Sequence, residues 1–358
     1  MINPDRLVKT FCDLVSIDSP SSSEEKIAVE LVSRLKALGL TVIRDDYGNV
    51  IASDSRENPV MLSAHMDTVE PGQGVKPSIE GDRIVSDGTT ILGGDCKAGV
   101  SAIMEALESI IEDETPHLPI EVVFTREEET ALVGARNLDF SKIASKEAIV
   151  FDGEGPVNRI TSSSPTYIGF NIEITGRAAH AGVEPEKGLS AIKIAAELIT
   201  RLPQGRLDGE TTFNIGSIEG GQVRNAVPET TKVVGEFRSM NIETLDTVRL
   251  QLTETIGTVQ ELFPEAVLDA HLHTDFETYA LPENDPALIR AKTAMISIGL
   301  EPYMLPSGGG TDGNIFRRNG INSVVVGMAD NGMHTKTEYV IIPDLVDAAH
   351  FCEALIRT

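Results

Sequence analysis

Apolar runs of strand length alternate with amphipathic helical stretches over the first 150 residues or so, stop, and resume near residue 286. This interrupted alternation limits the fold more than any other feature of the chain. Short apolar strands separated by helices point to an α/β fold with a mixed, mostly parallel sheet sandwiched by helices. Residues 4–17 and 24–38 have the periodicity of two amphipathic helices. Ser22, three residues before Glu25, has capping-box spacing for the second helix, and Gly39 closes it. Strands are expected at 41–44, 50–52, 60–64, 120–124 and 148–151, and a helix from about 98 to 112.

Between residues 164 and 275 the period changes. Residues 166–175 alternate as a half-exposed strand and 189–201 form a helix. Segments 211–219 and 230–238 alternate again, 244–263 is a long helix, and 267–273 is a last strand. The order βαββαβ is the ferredoxin-like arrangement and describes an inserted α+β domain. After Leu281-Pro282-Glu283-Asn284 the first pattern returns, with a helix at 286–299, a strand at 323–328 and a closing helix opened by Pro343. The expected organisation is one domain built from 1–163 and 276–358, with 164–275 inserted into it.

Composition narrows the function. The 358 residues carry a net charge of −25, from 55 acidic and 30 basic side chains spread along the chain. Nucleic acid and anionic membranes are poor partners for such a surface, because phosphate binding needs a basic face. No apolar stretch approaches the roughly 20 residues of a membrane span. Cys12, Cys96 and Cys352 are too few and too scattered for a disulfide framework, which fits a reducing cytoplasm. The first residues, MINPDRLVKTFCDLVSI, lack the basic-then-apolar order of an export signal. A cytoplasmic protein is expected.

Five side chains then stand out, because each follows an apolar run or a glycine-rich turn: His65, Asp95, Glu129, Asp152 and His334. The carboxyl ends of parallel strands are where such sheets place their ligand sites. Two histidines and three carboxylates suit two divalent ions, zinc above all, with manganese or cobalt as alternatives. In His65-Met66-Asp67, positions i and i+2 of an extended segment share a face, so Asp67 can orient His65 through its second ring nitrogen. Asp95, in Gly93-Gly94-Asp95-Cys96-Lys97-Ala98-Gly99, can bridge two cations or merely cap the following helix. Glu127, Glu128 and Glu129 can be a solvated run or can divide the work. One would bind metal while its neighbour accepts a proton from an activated water.

The segments Ser63-Ala64-His65-Met66-Asp67-Thr68-Val69, Gly94 to Gly99, Thr125 to Ala135 and Gly176 to Gly182 resemble the di-zinc exopeptidases related to peptidase T, within the superfamily that includes aminoacylases and glutamate carboxypeptidases. The resemblance runs through nearly the whole chain in the same order. It implies the zinc-exopeptidase fold, with 164–275 as a lid and dimerisation-type domain and a homodimer formed through it. It implies His65 and Asp152 on one metal, Glu129 and His334 on the other, Asp95 bridging, Asp67 as orienter and Glu128 as general base. His180, in Ala178-Ala179-His180-Ala181-Gly182, corresponds to the lid histidine that steadies the oxyanion; Asn225 and Arg238 correspond to groups that hold substrate backbone and carboxylate. The implied activity is hydrolysis of short peptides by a tripeptidase-like aminopeptidase. An N-acyl-amino-acid deacylase or carboxypeptidase is the alternative, and a non-catalytic peptide-binding protein a more distant one.

Two departures belong with the resemblance. Cys96 replaces a common second aspartate as a non-ligand, and Ala131 stands where glycine is frequent. The three glutamates also allow two registers, Glu127 with Glu128 or Glu128 with Glu129, and the spacing to Gly134-Ala135 favours the second. Finally, Gly308-Gly309-Gly310-Thr311-Asp312-Gly313 matches the dinucleotide fingerprint G-x-G-x-x-G. Asp312 would set negative charge beside a pyrophosphate, no clear strand precedes the motif and the helix after it is short. The resemblance places this loop in the substrate pocket.

Overall fold

The strands at the centre of the larger sheet are buried along their whole length, which is why they read as unbroken apolar runs rather than alternating ones. The structure, a computed structural model, describes residues 1–114 and 116–357. The chain divides into two units. One comprises Met1–Ser163, Ala280–Ser307 and the residues from Thr311 onward; the other comprises Ser164–Tyr279 with Gly308–Gly310.

In the first unit, Val60–His65 lies between Ile120–Thr125 and Glu147–Gly153 and runs parallel to both. Asn322–Gly327 extends the parallel block beside Glu147–Gly153. The hairpin Thr41–Arg44 and Val50–Ser53 adds to Ile120–Thr125 in the antiparallel sense, so the sheet is mixed and mostly parallel. Helices Pro4–Val15, Gly94–Glu112 and Ile342–Ile356 pack on one another, and the second of them also packs on Val60–His65. Their apolar faces join the sheet in one core that includes Phe11, Leu62, Ile103, Phe151 and Phe351. Because the four central strands are parallel, their carboxyl ends share one edge.

The second unit has the ferredoxin-like order anticipated from the sequence. Thr166–Thr175 pairs antiparallel with both Thr230–Ser239 and Val267–Phe276, and Thr211–Gly220 pairs with Thr230–Ser239. Helices Ala191–Arg201 and Ile242–Leu262 cover this sheet. Ile194, Leu198, Leu245 and Leu252 meet Ile168, Phe170, Phe213 and Phe237 in a separate core.

Three local expectations differ from what forms. The capping box at Ser22 is absent: Ser22 is left-handed at φ 71, and the helix begins after Glu24 without a side-chain cap. The buried Glu24 carboxylate instead accepts from Arg126 at 2.8 Å and from the Glu127 N–H at 3.1 Å, so tertiary contacts claim it. The helix expected from about residue 98 is assigned from Gly94, with Asp95 and Cys96 in non-helical conformation inside its first turn. A short strand, Tyr303–Pro306, does precede the glycine-rich Gly308–Gly313 loop and pairs with Arg159–Ser164. Four mostly exposed residues carry too little periodicity to be seen in sequence.

Candidate metal centre

The parallel strands deliver their side chains to one place. His65 is the last residue of Val60–His65, and Asp152 lies one residue before the end of Glu147–Gly153. Glu129 sits in a short turn, Glu128–Thr130, just beyond Ile120–Thr125, and His334 lies in the loop that follows Asn322–Gly327. Asp95 comes from the opposite direction, at the start of the Gly94–Glu112 helix. The N-cap of that helix is Gly93 at φ 77, with no side-chain cap, so the Asp95 carboxylate is not spent on capping.

Its two oxygens part instead. Asp95 Oδ1 is 3.0 Å from His65 Nε2, and Oδ2 is 3.2 Å from His334 Nε2. His65 Nε2 is also 3.7 Å from Asp152 Oδ1, and His334 Nε2 is 3.0 Å from Glu129 Oε2. The result is two donor groups that share Asp95: His65, Asp95 and Asp152 with the Cys96 thiol nearby, and Asp95, Glu129 and His334.

These groups fit divalent ions. Tetrahedral ligands with bonds of roughly 2.0–2.2 Å stand about 3.4 Å from one another, and the donor separations here bracket that value. Among the described residues, Glu129 Oε1 and Asp152 Oδ2 are buried without any hydrogen-bond partner, a cost that a cation would remove. Burial, and next to it the charge of Asp95, pushes the Glu129 carboxyl above its ordinary range. Burial also lifts Asp152 well above it. His334 is pushed up to about 10 by its hydrogen bonds to Asp95 and Glu129. Carboxylates crowded this closely need positive charge, from protons or from metal ions.

Asp67 holds the first histidine and the glutamate turn together. Nδ1 of His65 lies 3.0 Å from the Asp67 main-chain oxygen and 3.4 Å from its carboxylate. The same carboxylate accepts the N–H groups of Glu128 at 3.0 Å and Glu129 at 3.2 Å, and the Ser21 hydroxyl at 2.7 Å. Of the three glutamates, Glu127 points elsewhere: it accepts the Tyr47 hydroxyl at 2.8 Å and lies 3.5 Å from Arg126. Glu129 meets His334, and Glu128 is buried beside the cluster. Burial, and then the charge of Asp152, pushes the Glu128 carboxyl well above the usual carboxylate range.

Comparison with known proteins agrees with this geometry. A peptidase dimerisation domain model matches residues 163–262, and a peptidase family M28 model matches residues 49–177. The chain is 36% identical to the uncharacterized protein YqjE of Bacillus subtilis, covering 100% of this chain and 99% of that one. Among solved structures, aminopeptidase PepT from Bacillus cereus is 37% identical with a TM-score of 0.84, over 99% of this chain and 98% of that one. A tripeptidase from Staphylococcus aureus is 33% identical with a TM-score of 0.89, over the same shares. The chain belongs to the peptidase T-like M20 metallopeptidases.

Two further features of this M20 peptidase were not visible in its sequence. Glu338 is buried and accepts N–H groups from the loop that carries Asp95. Asp312 accepts the Thr125 hydroxyl. Burial pushes its carboxyl up to about 6 against the pull of that bond. An acid beside a threonine or tyrosine gives no periodic signal, and only the fold brings these partners near. Cys96 directs its thiol at the Phe151 carbonyl and lies 3.4 Å from Met328 Sδ. The glycine-rich loop does not serve as a dinucleotide cradle: Thr311 and Asn314 form a capping box that occupies the start of the seven-residue helix Asp312–Arg318.

His180, Asn225 and Arg238 all lie in the second unit, whereas the five metal-capable donors lie in the first. His180 pairs with Ala226 in a two-residue ladder, and its Nδ1 accepts the Gly182 N–H at 3.1 Å. The Asn225 main-chain oxygen accepts the Ala181 N–H at 3.0 Å. Arg238 lies over the Tyr167 ring, bonds Glu236 at 2.9 Å and donates to the Gly308 carbonyl at 3.0 Å. Among the described residues, no helix is long and apolar enough to cross a membrane.

Proposed function

We propose that this chain is a two-metal exopeptidase that hydrolyses short peptides, acting as a tripeptidase-like aminopeptidase. The observation that carries the reading is the splitting of Asp95, whose two oxygens face two different histidines at 3.0 and 3.2 Å. His65 and Asp152 would hold one ion, Glu129 and His334 the other, and Asp95 both. Bound there, divalent ions supply Lewis acidity and lower the pKa of water toward neutrality. The donor set suits zinc, with cobalt or manganese as substitutes.

The remaining work falls to the protein. Glu128 takes the proton of the attacking water and returns it to the departing amine. Its burial favours such a role, because a carboxylate with a raised pKa is a stronger base and takes a proton from water more readily than an ordinary exposed carboxylate does. Asp67 fixes the His65 ring through Nδ1 and holds the turn bearing Glu128 and Glu129. Because His180 Nδ1 accepts an N–H, its ring proton sits on Nε2, the form that donates to a developing oxyanion. Asn225 and Arg238 hold the substrate backbone and carboxylate. The unit matched by the dimerisation model would join two copies, and the free cysteines suit a cytoplasmic enzyme.

A panel of free tripeptides, N-acetyl amino acids and amino-terminally blocked peptides tests the activity. Cleavage confined to free tripeptides is expected. Preferred cleavage of N-acetyl amino acids or blocked peptides would favour a deacylase or carboxypeptidase. Metal uptake without hydrolysis of any member would favour a peptide-binding protein.

A further inference from the structure

The segment carrying His334 and the segment carrying Asp95 meet through a side chain that neither the metal nor the substrate needs to touch. Glu338 stands four residues after His334 and is 1% exposed. Its Oε2 accepts the N–H groups of Leu92 at 2.7 Å and Gly93 at 2.9 Å, and its Oε1 accepts that of Asp95 at 3.2 Å. Three consecutive-loop donors on one buried carboxylate form a charge-assisted clamp, and removing it would leave those donors unsatisfied in the interior.

The clamped loop has little freedom to settle elsewhere. Gly93 is left-handed at φ 77. A Cβ placed on Gly94 would lie 2.2 Å from Asp330 Oδ1 and 2.8 Å from a methyl of Val340, so only glycine passes there. Asp330 is itself buried, and its main-chain oxygen accepts the Gly155 N–H at 2.6 Å, which ties the same corner to the end of the Glu147–Gly153 strand.

We propose that Glu338 is a positioning residue that sets the spacing between Asp95 and His334 and so governs occupancy of the second metal position. The inference rests on the two-metal reading above. His65 and Asp152 are fixed by strands and do not depend on this clamp. The Asp95 Oδ2 to His334 Nε2 spacing of 3.2 Å joins two loops and does. Loss of Glu338 therefore weakens the second ion more than the first, which shares Asp95 but keeps two strand-borne ligands beside it.

The test is a Co2+ titration of the metal-free full-length protein, following visible absorption and chelator competition, for wild type, Glu338→Gln, Glu338→Ala and His334→Ala. Supporting groups around metal ligands typically contribute ~10–100-fold in affinity, so Glu338→Ala is expected to weaken the second ion by that factor and alter its spectrum. The first ion should weaken clearly less, since of its ligands only Asp95 loses support while His65 and Asp152 stay on their strands. Glu338→Gln keeps one acceptor oxygen and should fall between the two. Equal weakening of both ions, or wild-type affinities in both Glu338 variants, would overturn the proposal. If Glu338→Ala does not fold, the same unequal loss in Glu338→Gln decides. His334→Ala separates the two levels: retention of two tightly bound ions in that variant would mean that the metal-centre reading itself is wrong.

Discussion

The two halves of the candidate metal centre are built differently. His65 and Asp152 sit on adjoining regions of buried parallel strands, and the His65 side chain is 1% exposed. Glu129 and His334 come from loops. His334 adopts φ 63 and leaves 51% of its side chain open, and Glu127, Ala131 and Leu132 around the glutamate turn are all left-handed. A strand fixes a ligand through its ladder, whereas a loop must be fixed by side chains and backbone strain. The first donor group draws its histidine and one carboxylate from strand ends, whereas the second is drawn from loops, with Asp67 accepting the Glu128 and Glu129 N–H groups. On the proposed two-metal reading, the loop-held ion should be the more responsive to mutation.

The sharpest way to break that contrast is to remove the ligand that both halves share. Asp95→Ala is expected to lose both ions and to lower kcat/KM by about 10⁴-fold or more, since metal activation and base catalysis both need the assembled site. His334→Ala should lose only the second ion; metal analysis by mass spectrometry distinguishes the two outcomes. Next in size is the base. Glu128→Ala should keep both ions and lose roughly 10²–10⁴-fold in kcat. Glu127→Ala should keep kcat within a few-fold, because Glu127 faces Tyr47 and Arg126. Interchanged effects in steady-state assays would move the register by one residue.

A smaller effect concerns pH. His334 holds its proton up to about 10, which is above the ordinary histidine value. A bound ion must displace that proton, so affinity for the second ion should rise with pH until about 10 and then level off. Competition titrations between pH 6 and 10, a range spanning the ordinary histidine value and the raised one, should show that rise, and an affinity independent of pH would contradict it. The smallest effect is on stability. Ala131 is held at φ 71, a conformation that costs a non-glycine residue about 1 kcal/mol. Ala131→Gly should raise the melting temperature by a few degrees at most, less the entropy glycine adds to the unfolded chain.

The same contrast explains what the sequence revealed. Buried strands announce themselves as apolar runs, so His65, Glu129 and Asp152 could be picked out as polar residues at or just beyond their ends. The period change near residue 164 exposed the inserted ferredoxin-like unit for the same reason. Contacts between segments far apart in the chain leave no such trace. Glu24 looked like part of a helix start, yet its carboxylate belongs to Arg126 and the Glu127 N–H. The contacts of Glu338 and Asp312 gave no signal, because their partners Leu92, Asp95 and Thr125 are brought close only by the folded chain. Ala131 marks the intermediate case: its departure from a frequent glycine was visible, and the structure supplies the reason as a left-handed turn.

The most direct measurement is anomalous diffraction at the zinc edge from crystals of the full chain grown with two equivalents of zinc. Two peaks are expected, one among His65, Asp95 and Asp152 and one among Asp95, Glu129 and His334, with the Asp95 carboxylate between them. A single peak, or peaks that leave Asp95 bound to one ion only, would contradict the bridged two-metal centre.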